Sequence, residues 1–506
     1  MLMRDAALSR PDTAYDLVGQ YSQDEINGFD ETLVDRLLDR AQLAQVTRVL
    51  DAMAGDGNLT ARLAAYCRCR GLAMPQVVVL EYSRVQTEFA RVRLAGLPVR
   101  VVWGDVLSMR ERETGEALPD GPFDRVLIKS ALHELSPDQK LTAYRALFGA
   151  LAPGGLLVNL GFVFEDPVER DEFAAVTRVK DSLAGLEFAA AQRHFPLKAE
   201  LFAGLNQAGF VDVRTADAFE YRIRSEIASR AYFSRPGLEH AHVELQVAQV
   251  RALNLRRMGR IRFERETTVM TAPGEIIVAR RPTDMEATGE AFRRYPYEFL
   301  RHVKCHAELL DRSAGWVEEG ADVLDLGCGP GLLAERLVSR RIRYLGMDLS
   351  DRFISTCRER FAGRPEFRFE VGDVNSASLG DSVHDVVLIL NTIHLPGVDA
   401  LRVLRAAIGS LRPGGRLIVS GPNGPESWAR AEPEIRAQLE RDGLLEAHRA
   451  ALEEVSRANA RIITPRGNYW SAEGMIALLA HLGSSPVTDV ETAIYHGHGY
   501  LVVSEV

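Results

Sequence analysis

Six acidic residues end short apolar, strand-like runs, and they recur in the same order in both halves of the chain. They are Asp51, Glu81 and Asp105 in the first half and Asp325, Asp348 and Asp373 in the second. An open α/β sheet binds its ligand at the carboxyl ends of its strands, where these acids would lie. We therefore expect Glu81 and Asp348, which end the second strands, to accept the ribose hydroxyls of a nucleoside. Asp105 and Asp373 are expected to reach its adenine amino group.

A glycine-rich turn follows the first strand of each half. Its glycines are Gly327, Gly329 and Gly331 in the second half, and Gly55 and Gly57 in the first. Glycine lets the backbone approach a ligand because no Cβ intervenes. The dinucleotide fingerprint needs a further glycine where Thr60 and Leu332 stand, so an NAD enzyme is a poor fit. Met53 replaces the first glycine of the first half, which either still binds the ligand or has become a purely structural domain.

A histidine follows the fourth strand-like run of each half, nine positions after the aspartate that leads it. These residues, His133 and His394, are candidate general bases because a histidine titrates near neutral pH. The alternative is that each one hydrogen-bonds the backbone or stacks under the cofactor. His496 and His498 could line the second pocket or belong to a hairpin turn, and without further nearby ligands we expect no metal site.

Strands that alternate with amphipathic helices must position these side chains. VTRVLDAMAGDGNLTARLA and ADVLDLGCGPGLLAERLV open the two copies, and LAPGGLLVNLG and LRPGGRLIVSG close the same pattern. Such alternation predicts βαβ units and a mostly parallel sheet with helices on both faces. A chain of 506 residues also favours two cores. The charged stretch 281–291 is expected to be the linker, which gives domains 1–283 and 284–506.

The second copy resembles the class I S-adenosylmethionine-dependent methyltransferases. The resemblance rests on Asp325 with its three alternating glycines, Asp348, Gly372-Asp373 and Pro413-Gly414-Gly415. It implies two Rossmann-like α/β domains, each with a seven-stranded, mostly parallel sheet, helical lid insertions and a final antiparallel hairpin. The hairpins are expected in FVDVRTADAFEYRI with TTVMTAPGEIIVAR, and in VTDVETAIYHGHGYLVVSEV.

The same resemblance implies S-adenosylmethionine as the cofactor and S-adenosylhomocysteine as the product. The implied cofactor-binding residues are Asp51, Gly55, Gly57, Glu81, Asp105, Val106, Asp325, Gly327, Gly329, Gly331, Asp348, Leu349, Asp373, Val374 and Asn391. The first copy departs from the pattern at Met53 and in the spacing of its acids, since Asp51 and Glu81 are 30 positions apart where Asp325 and Asp348 are 23 apart.

The acceptor is expected to be a small molecule methylated on O, N or C. The Asp/Asn-Pro-Pro-aromatic motif of many amino-group methyltransferases is missing after strand four, where Lys129-Ser130-Ala131-Leu132 and Asn391-Thr392-Ile393-His394 stand. Segments 164–200, 222–260 and 424–472 are expected to form lids. The tyrosines that precede each copy could cap the nucleotide; they are Tyr15, Tyr21, Tyr295 and Tyr297.

Three interpretations of the pair of domains stay open. The two domains could serve one pathway, for example by two successive methylations of one substrate. Alternatively, only the C-terminal domain is catalytic and the N-terminal one is a binding or dimerisation module. The third interpretation is a methyltransferase that acts on RNA or protein.

Composition and charge favour a cytoplasmic enzyme. The net charge of −9 argues against nucleic acid as the partner. No apolar run is long enough for a membrane span, and the N-terminus lacks the apolar run of a signal peptide. Five scattered cysteines indicate no disulfide framework. A homodimer is possible.

Overall fold

Two mostly parallel sheets arise from the two halves of the repeat. The computed structural model describes residues 31–118, 121–183, 193–226, 240–293, 295–465, 467–484 and 487–506. The chain divides into two units, Met1–Pro282 and Thr283–Val506. Each unit has its own sheet and its own buried apolar clusters. Tyr15 and Tyr21 lie outside the described residues.

The sheet of the first unit is built on short runs of valine and leucine that are buried on both faces, as parallel strands require. Its strands are β1 (Arg48–Ala52), β2 (Gln76–Glu81), β3 (Val99–Asp105), β4 (Arg110–Glu111), β5 (Phe123–Lys129), β6 (Leu151–Phe162), β7 (Val211–Arg224), β8 (Ile261–Glu264) and β9 (Thr267–Arg280). They are ordered β4-β3-β2-β1-β5-β6-β9-β7, and β8 pairs with β9. The reversal of strand order at β1 and β5 creates the crevice in which such sheets bind ligands.

The helices of the first unit follow its strands and cover the sheet. They are α1 (Glu31–Arg40), α2 (Asn58–Cys69), α3 (Arg84–Arg93), α4 (Pro137–Ala150), α5 (Pro167–Leu183), α6 (Lys198–Ala208), α7 (Ala241–Arg251) and α8 (Leu253–Arg257). Helix α5 starts within the expected lid 164–200, and α7 and α8 lie in the expected lid 222–260. Residues 184–192 and 227–239 of those lids lie outside the described residues.

The first sheet has nine strands, so the expectation of seven was wrong for this unit. One addition is β4, two residues that pair antiparallel with the end of β3 through Asp105 and Arg110. The other is β8, which forms a hairpin with β9 at the end of the helical insertion. Both are short edge additions, and neither has the apolar run by which the other strands could be predicted.

The second unit has the seven strands that were predicted. They are β10 (Asp322–Leu326), β11 (Arg343–Asp348), β12 (Phe367–Val371), β13 (His384–Leu390), β14 (Leu411–Pro422), β15 (Val487–Ala493) and β16 (Gly499–Glu505). Their order is β12-β11-β10-β13-β14-β16-β15, and only the β16 pairings are antiparallel. The final hairpin is therefore confirmed.

The helices of the second unit include those of the expected lid 424–472. They are α9 (Asp284–Arg293), α10 (Lys304–Gly315), α11 (Leu332–Leu337), α12 (Asp351–Arg360), α13 (Ala400–Ser410), α14 (Ser427–Arg441), α15 (Leu445–Ile462) and α16 (Ala472–His481). A 3-10 turn spans Tyr297–His302.

The stretch expected as a linker is ordered over most of its length. Arg281 is buried, and its guanidinium donates to the carbonyl oxygens of Phe148 at 3.0 Å and Gly149 at 3.2 Å. Helix α9 begins with a reciprocal cap, since Thr283 N donates to Glu286 at 2.8 Å and Glu286 N donates to Thr283 Oγ1 at 3.2 Å. The helix was missed because it buries only two small residues, too few for an apolar period.

Candidate active site

The carboxyl ends of the strands in the second unit meet at one cavity. Nine of the predicted cofactor-binding and catalytic residues line it: Asp325, Gly327, Gly329, Asp348, Leu349, Asp373, Val374, Asn391 and His394. They come from the ends of β10, β11, β12 and β13, and β10 and β13 flank the point where the strand order reverses. Such a switch point is the usual ligand crevice of an open α/β sheet.

Asp348 is held in place by the backbone of two turns. Its Oδ2 accepts from Gly329 N at 3.0 Å, and its Oδ1 accepts from Ser350 N at 2.8 Å. Burial raises the pKa of this carboxyl, although the two backbone bonds act against that shift. Each oxygen of an ionised carboxylate has a second lone pair, so Asp348 can still accept two ligand hydroxyls.

Glu81 of the first unit repeats this arrangement. Its Oε2 accepts from Gly55 N at 2.8 Å, and its Oε1 accepts from Ser83 N at 2.7 Å. Gly55 and Gly329 occupy the same place in the two glycine turns. Burial raises the pKa of Glu81 to about 7.

The two glycine turns share one backbone path. Gly327, Gly329 and Gly331 have φ of 81°, 53° and 81°, and their counterparts Met53, Gly55 and Gly57 have 58°, 56° and 78°. Gly331 lies behind the ligand face, since a Cβ there would come within 3.0 Å of Cys357 Sγ.

The accommodation of Met53 has a local cause. A Cβ built on Gly327 would lie 2.0 Å from Thr392 Oγ1. The residue that corresponds to Thr392 in the first copy is Ala131, and Met53 packs against the core cluster that contains it. In the second copy, the small residue is on the turn (Gly327) and the larger one faces it (Thr392). In the first copy, the larger residue is on the turn (Met53) and the smaller one is its counterpart of Thr392 (Ala131), so the turn keeps its path.

The acids that end the first strands are buried and paired inside the protein. Asp51 accepts from Thr60 Oγ1 at 2.6 Å, and Asp325 accepts from the Tyr344 hydroxyl. Burial raises the pKa of both carboxyls to about 7. These hydrogen bonds place Asp51 and Asp325 as supports of the turn.

The acids that end the third strands also match. Asp105 accepts from Leu107 N at 2.8 Å, and Asp373 accepts from Asn375 N at 2.9 Å. The residue after each acid differs, because Val106 is buried in the core whereas Val374 lines the cavity.

Aromatic rings close one side of the second cavity. Tyr295 and Tyr297 line it, with ring centroids 4.4 Å apart, and a Cβ on Gly329 would lie 3.7 Å from the Tyr297 ring. The Tyr295 hydroxyl donates to Asn459 Oδ1 at 3.2 Å.

His394 and His133 occupy matching positions with different surroundings. His394 lines the cavity, and burial lowers its pKa to about 3. His133 Nε2 lies 2.6 Å from Arg193, and because a guanidinium only donates, the ring lone pair is already engaged. Burial, followed by the charge of Arg193, lowers the pKa of His133 well below its usual value. Phe195 stacks on its ring at 5.0 Å, and Phe162 meets the ring edge at 5.3 Å.

Several polar residues of the second cavity were not singled out in the sequence. They are His306 from α10, Trp428 from α14, Asn459 from α15, and Tyr495 from the turn between β15 and β16. His498 of the same turn also lines the cavity. Of these, only Tyr495 belongs to a stretch with a sequence signal, IYHGHGY, in which His496 and His498 were the predicted pocket residues. Across the described ranges, no group of three or more His, Cys, Asp or Glu side chains could hold a metal ion.

Comparison with known proteins matches both units to one family. The family described as "Methyltransferase domain" matches residues 49–155 and 323–415, which run from β1 into β6 and from β10 into β14. In the described part of the chain, no helix has the length and apolar character needed to cross a membrane.

Individual relatives are similar over part of the chain. A probable S-adenosylmethionine-dependent methyltransferase of Mycolicibacterium smegmatis is 30% identical over 155 residues, 30% of this chain and 56% of that protein. Trans-aconitate 2-methyltransferase of Variovorax paradoxus is 32% identical over 138 residues, 27% of this chain and 49% of that protein. The chain thus spans about half the length of the curated relatives it matches. The solved S-adenosylmethionine-dependent methyltransferase of Mesorhizobium loti is 18% identical with a TM-score of 0.28, and the match covers 39% of this chain and all of that one.

Proposed function

Because the chain contains two methyltransferase domains in tandem, we propose that it transfers a methyl group from S-adenosylmethionine to a small-molecule acceptor in the second unit. The observation that carries the proposal is the Asp348 carboxylate, held by two backbone N–H groups in a cavity whose lining also includes residues of α10, α14 and α15.

The residues present fit the cofactor. Asp348 has lone pairs left for two ribose hydroxyls, and Asp373 lies at the next strand end for the adenine amino group. Gly327 and Gly329 leave backbone open toward the amino-acid part. When bound, S-adenosylmethionine supplies an activated methyl group on a sulfonium.

The chain's own contribution is to position the acceptor and exclude water. In-line displacement on an activated carbon needs close, aligned reactants, and a preorganised site can supply much of the acceleration. Helices α14 and α15 and the aromatic wall of Tyr295 and Tyr297 enclose the acceptor side. His394, which lines the same cavity, stays our candidate for a residue that contacts the acceptor.

The first unit has a second candidate role, which is cofactor binding without catalysis. Glu81 and Asp105 repeat the carboxylate contacts of Asp348 and Asp373. The space beside His133 is filled by Arg193, Phe162 and Phe195, where an acceptor would otherwise approach. A catalytic first unit that completes two successive methylations remains the alternative, as does an acceptor that is RNA or protein.

Calorimetric titration of the full chain tests both assignments. We expect two molecules of S-adenosylmethionine per chain in the wild type, and one in Asp348→Asn and in Glu81→Gln at ligand concentrations that saturate the intact site. Loss of charge-assisted hydrogen bonds should weaken the altered site by about 1.5–3 kcal/mol, a 10- to 150-fold change in Kd.

Asp489→Asn, in the exposed strand β15, is the matched control and should leave both sites intact. A stoichiometry of one in the wild type that Glu81→Gln leaves unaltered would make the first unit a scaffold. Unaltered binding in Asp348→Asn would refute the site in the second unit.

A further inference from the structure

The second cavity contains a hydrogen-bonded polar cluster that joins Asn391, one of the predicted cofactor-binding residues, to two side chains that the sequence did not single out. The cluster consists of His306, Asn391 and Tyr495, which come from α10, the end of β13 and the turn between β15 and β16. All three side chains line the cavity, so they can contact a molecule bound beside the cofactor.

Hydrogen bonds join the three side chains in one line. Asn391 Nδ2 donates to the Tyr495 hydroxyl oxygen at 2.9 Å, and His306 Nδ1 lies 2.6 Å from the same oxygen. Burial, reinforced by Arg336, lowers the pKa of His306 to about 4, so its ring is neutral and one ring nitrogen is bare. When that nitrogen is Nδ1, Tyr495 donates its proton to His306 and keeps one lone pair for a ligand.

The backbone under Tyr495 is held in a conformation that side chains disfavour. Tyr495 has φ 49° and ψ 51°, and His496 has φ 61° and ψ 30°. Left-handed backbone at a residue with a Cβ costs about 1–2 kcal/mol. The turn is fixed by Asn423, which donates to Gly497 O at 3.1 Å, and by the contact of His496 Nδ1 with Glu434 Oε2 at 3.1 Å. Backbone strain of this kind is typical of residues whose side chains must be held in one orientation in a functional site.

Two further residues that line the cavity each carry a buried polar atom with no partner among the described residues. Trp428 Nε1 and His394 Nδ1 are buried, and neither makes a hydrogen bond in the described part of the chain. An indole N–H can only donate, so its natural partner is a ligand oxygen. Leaving such a group unsatisfied costs about 1–3 kcal/mol, which a bound oxygen would remove.

We propose that the acceptor of the second unit is a neutral, largely apolar hydroxy compound, and that Tyr495, positioned by Asn391 and His306, receives the proton of its hydroxyl. This inference rests on the proposed function. A hydroxyl can donate to Tyr495 and accept from Trp428 at once. Among the described residues that line the cavity there is no lysine or arginine, so a carboxylate acceptor would find no cationic partner there.

The transfer balances in atoms and charge. The acceptor oxygen forms a bond to the methyl carbon while the carbon–sulfur bond breaks, and sulfur keeps the electron pair. The hydroxyl proton passes to Tyr495, whose own proton passes to His306 Nδ1. The positive charge lost at sulfur reappears on the imidazole, so the total charge of the buried site is unchanged. A weakly basic imidazole suffices, because a methylated hydroxyl is a far stronger acid than an imidazolium.

A matched pair of acceptors tests the proposal in the full chain. The probes are 2-naphthol, which needs a proton acceptor, and naphthalene-2-thiol, which ionises by itself near neutral pH. We expect Tyr495→Phe and His306→Asn each to lower kcat for 2-naphthol at least 100-fold and kcat for the thiol less than threefold, as the loss of a proton acceptor would. Tyr500→Phe, on strand β16 of the same hairpin, should change neither rate more than threefold.

Binding measurements separate the possible failures. Calorimetry should show 2-naphthol binding to the wild type loaded with S-adenosylhomocysteine, with a Kd that changes less than tenfold in Tyr495→Phe and rises more than tenfold in Trp428→Phe. Equal losses of turnover for both probes would mean that Tyr495 only shapes the cavity, and would overturn its role. Failure of 2-naphthol to bind would overturn the acceptor class. Absence of S-adenosylmethionine binding, measured first, would overturn the proposed function itself.

Discussion

Glu81 is one methylene longer than Asp348, yet both carboxylates accept the same two backbone N–H groups of their turns. A buried carboxylate held in this way lacks the water it would have in an unfolded chain. Its ionisation therefore opposes folding unless a ligand takes up the remaining lone pairs.

The raised pKa of Glu81 predicts a pH dependence of stability. Burial raises the pKa from 4.5 to about 7, so the folded first unit binds this proton more tightly than the unfolded chain does. The stability that this proton contributes is complete below about pH 4.5 and is lost as pH rises through 7. Relative to the wild type, Glu81→Gln should gain about 2–3 kcal/mol in free energy of unfolding between pH 5 and pH 8.

Urea unfolding without cofactor, followed at both pH values, checks this expectation. Exposed Glu88→Gln is the matched control and should show the same difference from wild type at both. A constant difference for Glu81→Gln as well would mean that Glu81 is already ionised at pH 5.

At the scale of elements, the glycine turn depends on what faces it. Gly327 lies in left-handed backbone, and any side chain there would also meet Thr392. Gly327→Ala should therefore lower the free energy of unfolding of the second unit by about 2–4 kcal/mol, from overpacking and backbone strain together. The double variant Gly327→Ala/Thr392→Ala should recover the steric part, with a coupling of about 1–2 kcal/mol.

Gly443→Ala measures the cost of backbone strain alone, without a steric contact. Gly443 has φ 70° and no atom within 4 Å of a built Cβ, so its replacement should cost only about 1–2 kcal/mol. Strictly additive effects of Gly327→Ala and Thr392→Ala in urea unfolding would refute the contact.

The strands of the second unit and the acids at their ends were predictable because each depends on a short run of neighbouring residues. The polar cluster of His306, Asn391 and Tyr495 was not, since its bonds join residues 104 and 189 positions apart. The position of the Tyr495 side chain also depends on left-handed backbone at Tyr495 itself, which the sequence does not indicate because that residue is not a glycine. Trp428 was not singled out either, since only the folded structure shows that it lines the cavity.

At the scale of the whole molecule, each unit has its own core and its own carboxylate site. We therefore expect two calorimetric unfolding transitions. S-adenosylhomocysteine at 100 times its Kd should stabilise each unit that binds it by about 2.7 kcal/mol and raise the Tm of that transition by a few degrees.

The variant Asp348→Asn shows which unfolding transition belongs to the second unit. At the same ligand concentration it should cut the ligand-induced stabilisation of one transition from about 2.7 to about 0.3–1.4 kcal/mol and leave the other shift in place, while Asp489→Asn should leave both. If only one transition shifts with ligand and Asp348→Asn reduces that shift, only the second unit binds.

The exchange of side chains between Gly327 with Thr392 and Met53 with Ala131 also constrains how the two copies diverged. A methionine opposite a threonine would overlap, whereas a glycine opposite an alanine leaves only a small void. Whichever copy is closer to the common ancestor, the intermediate between the glycine–threonine pair and the methionine–alanine pair must have been the glycine–alanine pair. Steric overlap therefore set the order of the two substitutions. Starting from glycine and threonine, the threonine had to become alanine before the glycine could become methionine. Starting from methionine and alanine, the methionine had to become glycine before the alanine could become threonine.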